Sequence, residues 1–200
     1  MPQPGPGFTS LHVLLRYFRE IPDLKLCPRL RRDFRRYKEI QEWGTLRTLV
    51  DAVFLNSGFQ ALLAYRLAHS MKKAHIPFAP ALLRRISIAF CAIDILPQAD
   101  IGGGCYIPHS PGIVIGGTSV IGEDCTLLQG VTLGEARFSE TACPTVGKRV
   151  VLGAGATLLG DIRIGDGSFV AAGAVVLQDV PPRHTAVGVP AVCRPLDRVD

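Results

Sequence analysis

The sequence predicts a mainly β fold, a parallel β-helix of hexapeptide repeats preceded by an α-helical N-terminal segment. Three observations carry this. From Ile95 to Val176 an aliphatic residue returns every six positions. Before Ile93 apolar residues return at three and four positions instead, the helical spacing. The 200 residues also hold 21 Gly but only 7% aromatics, which suits an interior of small residues and tight corners.

Residues 1–9, with Pro2, Pro4, Pro6, Gly5 and Gly7, have nothing to pack and read as a flexible tail. The helical region spans 10–92. Leu11, Leu14, Leu15 and Phe18 mark its first pattern, and Leu46, Leu49, Val50, Val53 and Phe54 mark another. A third helix runs from Phe59 to Met71 after a start at Ser57-Gly58, and a fourth from about Pro80 to Ala92. Between the first two lies the basic segment 29–38. A solvated helix face and an attraction for an anionic glycan or a membrane surface are both open for it.

The repeats occupy 93–192. The aliphatic positions are Ile95, Ile101, Ile107, Ile115, Ile121, Leu127, Leu133, Val146, Leu152, Leu158, Ile164, Val170 and Val176. Every interval is six except one of eight (107 to 115) and one of thirteen (133 to 146). A six-residue unit is one short strand and a corner, and three units close a turn of about 18 residues on which the next stacks. The long interval opens one corner into an expelled loop, 135–145, and such loops commonly carry function. Residues 193–200 read as a C-terminal tail.

Composition narrows the function. With 48% hydrophobic and 20% charged residues the chain has material for a core, so wholesale disorder is excluded. No uninterrupted apolar run reaches the roughly 18 residues of a membrane span, and MPQPGPGFTS lacks the pattern of a secretion signal, so the reading is cytoplasmic. Six cysteines without a CxxC pair signal neither a zinc knuckle nor a disulfide framework. A zinc site of three histidines is disfavoured, because only His109 and His184 lie in the repeat half, and no metal is expected. The net charge of +5 divides unequally: residues 1–90 carry 15 Lys+Arg against 6 Asp+Glu, residues 91–200 carry 7 against 11. Nucleic acid is not an expected partner, since no binding motif accompanies the basic half.

Several motifs then occur in one order: Gly58-Phe59-Gln60-Ala61-Leu62 with Tyr65-Arg66-Leu67-Ala68-His69, Ile93-Asp94-Ile95, His109-Ser-Pro-Gly112-Ile-Val-Ile-Gly116, Val131-Thr-Leu-Gly134 and Gly188-Val-Pro-Ala191. In these the chain resembles the serine O-acetyltransferase-like hexapeptide-repeat acyltransferases. The resemblance implies a left-handed coil, acetyl-CoA as acetyl donor, a small-molecule hydroxyl acceptor, and a homotrimer or dimer of trimers with active sites between subunits.

It also implies roles for residues. His109 is the general base, since an imidazole can take the proton of a weakly acidic hydroxyl as it attacks a thioester. Asp94, fifteen residues earlier, is expected on the adjacent coil, where its carboxylate would fix the imidazole tautomer. A corner aspartate that satisfies backbone amides is its other reading. Gly134, Ala154 and Ala172 match the cofactor-binding positions; for Lys148, Arg149 and Arg183 a contact with nucleotide phosphates and a solvated surface role are both open.

Cys143 stands where serine acetyltransferases carry a second histidine, and Pro108 where they carry an aspartate that helps hold the amino acid. Both positions are assigned to substrate binding. The segment Ala142-Cys143-Pro144 looks like the branch that acetylates capsular and exopolysaccharide sugars, so the expected acceptor is a saccharide, with L-serine as the alternative and a catalytically silent scaffold as the non-enzyme reading. The family's partner-binding tail ends in isoleucine, whereas this chain ends in Asp200, so docking to a cysteine synthase is not expected.

Overall fold

The computed structural model describes residues 26–137, 139 and 141–196. The expected tail 1–9, the first helical pattern at 11–18 and residues 197–200 lie outside these. The described chain opens with four α-helices, α1 (Leu26–Gln41), α2 (Thr45–Val50), α3 (Ser57–Lys73) and α4 (Ala79–Cys91), with a π-helical turn at Asp51–Leu55 between α2 and α3. Among the described residues no helix is long and apolar enough to cross a membrane.

Each helix boundary has a local cause. The Asn56 side chain accepts the Phe59 amide at 2.8 Å and so starts α3. Pro80 sits in the first turn of α4, where a missing N–H costs nothing. Ala92, at φ 52°, ends that helix in a left-handed residue and turns the chain straight into the coil at Ile93.

From Ile93 the chain forms a left-handed parallel β-helix. Its first face holds β1 (Ile93–Ile95), β3 (Ile113–Ile115), β6 (Thr132–Gly134), β9 (Thr157–Leu159) and β12 (Val175–Val176). The second holds β2 (Asp100–Ile101), β4 (Val120–Ile121), β7 (Thr145–Val146) and β10 (Arg163–Ile164). The third holds β5 (Thr126–Leu127), β8 (Val151–Leu152), β11 (Phe169–Val170) and β13 (His184–Gly188), with β14 (Ala191–Pro195) on its edge. The inward aliphatic column, including Ile101, Ile115, Ile121, Leu127, Leu133, Leu152 and Leu158, is buried. Each such side chain contributes about 1.5–3 kcal/mol by leaving water.

The two long intervals appear as register changes. Tyr106 pairs with Thr126, twenty residues on, whereas Val114 pairs with Thr132, eighteen on. The two extra residues are therefore held between Tyr106 and Val114, the segment that contains His109. Thr132 pairs with Thr157, twenty-five on, whereas Thr145 pairs with Arg163, eighteen on, so the seven surplus residues lie between β6 and β7.

The C-terminal end departs from expectation. Residues 193–195 belong to β14, which pairs antiparallel with β13 through Ala186↔Cys193, Thr185↔Arg194 and His184↔Pro195. That hairpin covers the edge that the last coil would leave open.

The basic segment is neither freely solvated nor free for a polyanion along its length. Arg29, Arg32 and Arg36 lie on one face of α1 and dock on the edge between the second and third coil faces. Arg29 Nη1 donates to Asp100 Oδ1 at 2.5 Å, Arg32 Nη2 to Asp124 Oδ2 at 2.6 Å, and Arg36 Nη1 to the Cys125 carbonyl at 2.8 Å. Arg31 and Arg35 on the opposite face stay exposed. The spacing 29, 32 and 36 is the helical period, and the helix face it forms meets the coil instead of solvent.

Beneath these arginines lies a buried ion pair. Arg66 of α3 and Asp33 of α1 have side chains only 2% and 0% exposed, joined by Nε–Oδ2 at 3.0 Å. Arg66 also donates to the carbonyls of Ile101 and Gly102, and Asp33 accepts the amides of Gly104 at 2.7 Å and Cys105 at 3.0 Å. Burial pushes the Asp33 carboxyl up, and Arg66 with the two amides pulls it back. Breaking one side of such a pair leaves a charge buried without a counter-ion, so Arg66→Ala is expected to cost about 3–5 kcal/mol in urea unfolding. An unchanged midpoint would show that the pair does not hold the helices to the coil.

Candidate active site

The edge where the third coil face turns into the first is built from glycine. Gly112, Gly130, Gly155 and Gly173 stack there with φ of 83°, 73°, 68° and 69°. A Cβ on Gly112 would lie 3.4 Å from Gly130 Cα, and one on Gly130 3.3 Å from Gly155 Cα, so both conformation and spacing favour glycine. The residue before each glycine forms a ladder: the Gly130 amide donates to Pro111 O at 2.9 Å, that of Gly155 to Gln129 O at 2.8 Å, and that of Gly173 to Ala154 O at 2.8 Å.

His109 stands at the head of this edge. The two surplus residues of the first coil swell the corner outward, leaving His109 exposed, and its imidazole has no hydrogen-bond partner among the described residues. The corner itself is well held. Ser57 Oγ at the start of α3 donates to Ser110 Oγ at 2.6 Å, and the Gly112 amide donates to Ala92 O at 2.9 Å. A Cβ on Gly58 would fall 2.1 Å from Ile107 O, so only glycine lets α3 approach the corner this closely. Sequence reading quoted Gly58 and Arg66 as motif residues, and the structure supplies their physical reason.

Asp94 is on β1, paired with Val114 of the next coil, two residues after the Ala92 carbonyl that receives Gly112. It therefore lies beside the His109 corner, but its carboxylate has a different partner. Arg84 of α4 donates Nε to Oδ1 at 2.6 Å and Nη2 to Oδ2 at 2.7 Å. This bidentate contact holds the Arg84 guanidinium still more firmly in its charged form. No hydrogen bond joins Asp94 to His109 among the described residues. The reading of Asp94 as a corner aspartate satisfying backbone amides does not hold, since among the described residues no backbone amide donates to its carboxylate and Arg84 is its partner. Sequence reading missed Arg84, because nothing in a ten-residue separation announces a contact across a helix-to-strand turn.

Cys143 lies on another edge, between the first and second faces. It is 5% exposed, and a Cβ built on Gly116 would sit 2.5 Å from its Sγ, so the thiol is folded against the coil backbone. Thr118 fastens this end of the expelled loop: its hydroxyl donates to the Thr141 carbonyl and accepts the Cys143 amide at 3.0 Å. Within one chain, Cys143 and His109 are on opposite margins of the first face. Pro108 is half-buried next to His109 and offers neither charge nor N–H.

Of the cofactor positions, Ala154 and Ala172 share the His109 edge, eighteen residues apart and one coil apart. Ala154 is half-buried and Ala172 exposed, so this stretch of the edge presents nothing larger than a methyl group at either position. Gly134 is at the far end of the first-face strands, paired with Leu159. Lys148, Arg149 and Arg183 lie on the third edge of the prism, away from Ala154 and Ala172, and Lys148 Nζ is 3.3 Å from Glu123. Burial pushes the Cys105 thiol up and holds Cys125 at about 11, so neither is a ready nucleophile.

Comparison with known proteins fits this geometry. Residues 143–178 match the bacterial transferase hexapeptide family model of six repeats. A serine acetyltransferase of Helicobacter pylori (strain J99) is 43% identical over 160 residues, 80% of this chain and 94% of that protein. Among solved structures, soybean serine acetyltransferase complexed with serine superposes with a TM-score of 0.80 at 36% identity, covering 92% of this chain and 74% of that one. The Brucella abortus serine acetyltransferase in complex with coenzyme A gives 0.80 at 33% identity, over 94% and 76%. These matches do not support the polysaccharide-acetylating branch that Ala142-Cys143-Pro144 suggested. An identity of 43% across nearly the whole of a relative, on the same coil, shows that the chain is an acyltransferase enzyme and belongs to the serine acetyltransferase family of hexapeptide-repeat proteins.

Proposed function

We propose that the protein transfers acetyl from acetyl-CoA to the hydroxyl of L-serine, with His109 as general base and Asp94 beside it. The observation that carries the chemistry is an exposed, unpartnered imidazole at the head of the edge that also bears Ala154 and Ala172. The acceptor rests on the relatives, which are serine acetyltransferases, one of them solved with serine bound.

In this reading His109 takes the proton of the attacking hydroxyl as its oxygen bonds to the thioester carbonyl carbon. The C–S bond then breaks, and His109 returns the proton to the departing sulfur, so the base is regenerated and no external acid is consumed. Ala154 and Ala172 would flank the donor's arm along the edge, with their carbonyls and the neighbouring amides within its reach. Gly134 and the cations Lys148, Arg149 and Arg183 lie elsewhere on the same chain, so they would serve a donor only across a junction between subunits. We therefore include a homotrimer in the proposal. A saccharide hydroxyl is the second reading, favoured by one feature: Pro108 and the buried Cys143 give a zwitterion no charged contact.

Replacing His109 by Ala is expected to lower kcat by a factor of about 10² to 10⁴ with the affinity for CoA kept, as measured by thiol release. Undiminished turnover would remove it from the mechanism. For the acceptor, kcat/KM for L-serine is expected to exceed that for nucleotide sugars. Pro108→Asp should raise the serine value by roughly ten- to a hundredfold, the worth of one charged hydrogen bond of about 1.5–3 kcal/mol. Efficient transfer to a sugar with none to serine would reverse the two readings. Light scattering at micromolar concentration should give a mass of three chains or a multiple, and a monodisperse monomer would end the shared-site proposal.

A further inference from the structure

We infer that Arg84 is a positioning residue for the transfer reaction, acting through Asp94; this rests on the proposed roles of Asp94 and His109. Arg84 is on the second turn of α4 and Asp94 is the middle residue of β1, joined only by the left-handed turn at Ala92. The guanidinium grips both carboxylate oxygens, at 2.6 and 2.7 Å, and so fixes the plane of the carboxylate as well as its position.

A carboxylate has about four acceptor sites, and the fork occupies one on each oxygen. No other group donates to this carboxylate among the described residues, so its remaining sites are free to accept an imidazole N–H. A carboxylate held only by that imidazole could rotate about its own bond, and the tautomer it enforces would be held less tightly. Arg84 removes this freedom. Its side chain is 37% exposed and that of Asp94 27%, so the pair is reachable by solvent and is no core bridge like Arg66–Asp33. On its other side Arg84 lines a cavity of about 240 Å³ with Lys72, Leu96 and Pro97, which has room for a small cation.

The test is a double-mutant cycle with the acceptor that the wild-type protein turns over. Arg84→Ala is expected to reduce kcat by roughly ten- to a hundredfold, with KM for acetyl-CoA and acceptor within about twofold. Millimolar guanidinium ion should restore part of kcat to Arg84→Ala through the cavity, and Arg84→Lys should retain more activity than Arg84→Ala. In an Asp94→Asn background the same change should cost almost nothing further, because both residues work through one carboxylate. A purely structural role would lower the melting temperature, and its cost would add in the cycle, with no rescue by guanidinium. Full activity in folded Arg84→Ala, or additivity in the cycle, overturns the inference while leaving the His109 reading in place. Full activity in Asp94→Asn instead overturns the proposed site itself.

Discussion

Each coil can stack on the last only if the chain turns from the third face to the first through a left-handed residue. For residues with a Cβ that conformation costs about 1–2 kcal/mol. Gly112, Gly130, Gly155 and Gly173 meet the requirement at one edge, and each leaves the preceding carbonyl free to accept the next coil's amide. The interior column and the strand registers follow from that repeated turn. In the two later coils the residues before those glycines are Ala154 and Ala172, on the same edge as His109.

The helical region serves as a cap rather than as a separate body. An end coil exposes backbone groups that have no further coil to bind, and α1 and α3 supply the partners. Asp33 takes the amides of Gly104 and Cys105, Arg66 takes the carbonyls of Ile101 and Gly102, and the two close on each other. Taking two charges out of water is costly, and the arrangement is tolerable because the remaining donors and acceptors are also matched. Arg29, Arg32 and Arg36 continue the same function at lower burial. Half of the six cations in the segment 29–38 thereby become internal fasteners, which weakens the case for an anionic surface as partner.

Around the candidate site, the chain combines a strongly held corner with departures in the residues that would meet an acceptor. Ser57, Gly58 and the Gly112 amide hold the His109 corner from three sides. Across the first face, Thr118 pins the end of the expelled loop so that the Cys143 thiol turns inward against Gly116. The His109 edge and the loop edge of one chain are separated by the width of a face, which is why the proposed site draws on more than one subunit.

The fold class was legible because its cause is periodic: an inward aliphatic every six residues needs no long-range information. The intervals of eight and thirteen were equally readable, since surplus residues in a stacked coil must leave at a corner, and so His109 and the expelled loop stood out. Three features were decided by tertiary structure alone. The arginines of α1 looked like surface charge until the helix met the coil edge carrying Asp100, Glu123 and Asp124. The β14 hairpin had no repeat to announce it, because antiparallel cover of an open edge follows from the last coil's need for a partner. Arg84 found Asp94 only through the turn at Ala92, which brings a helix and a strand together in space. Pattern in sequence reports what each residue must do for its own coil; which side chains meet across elements depends on the angles at which those elements join.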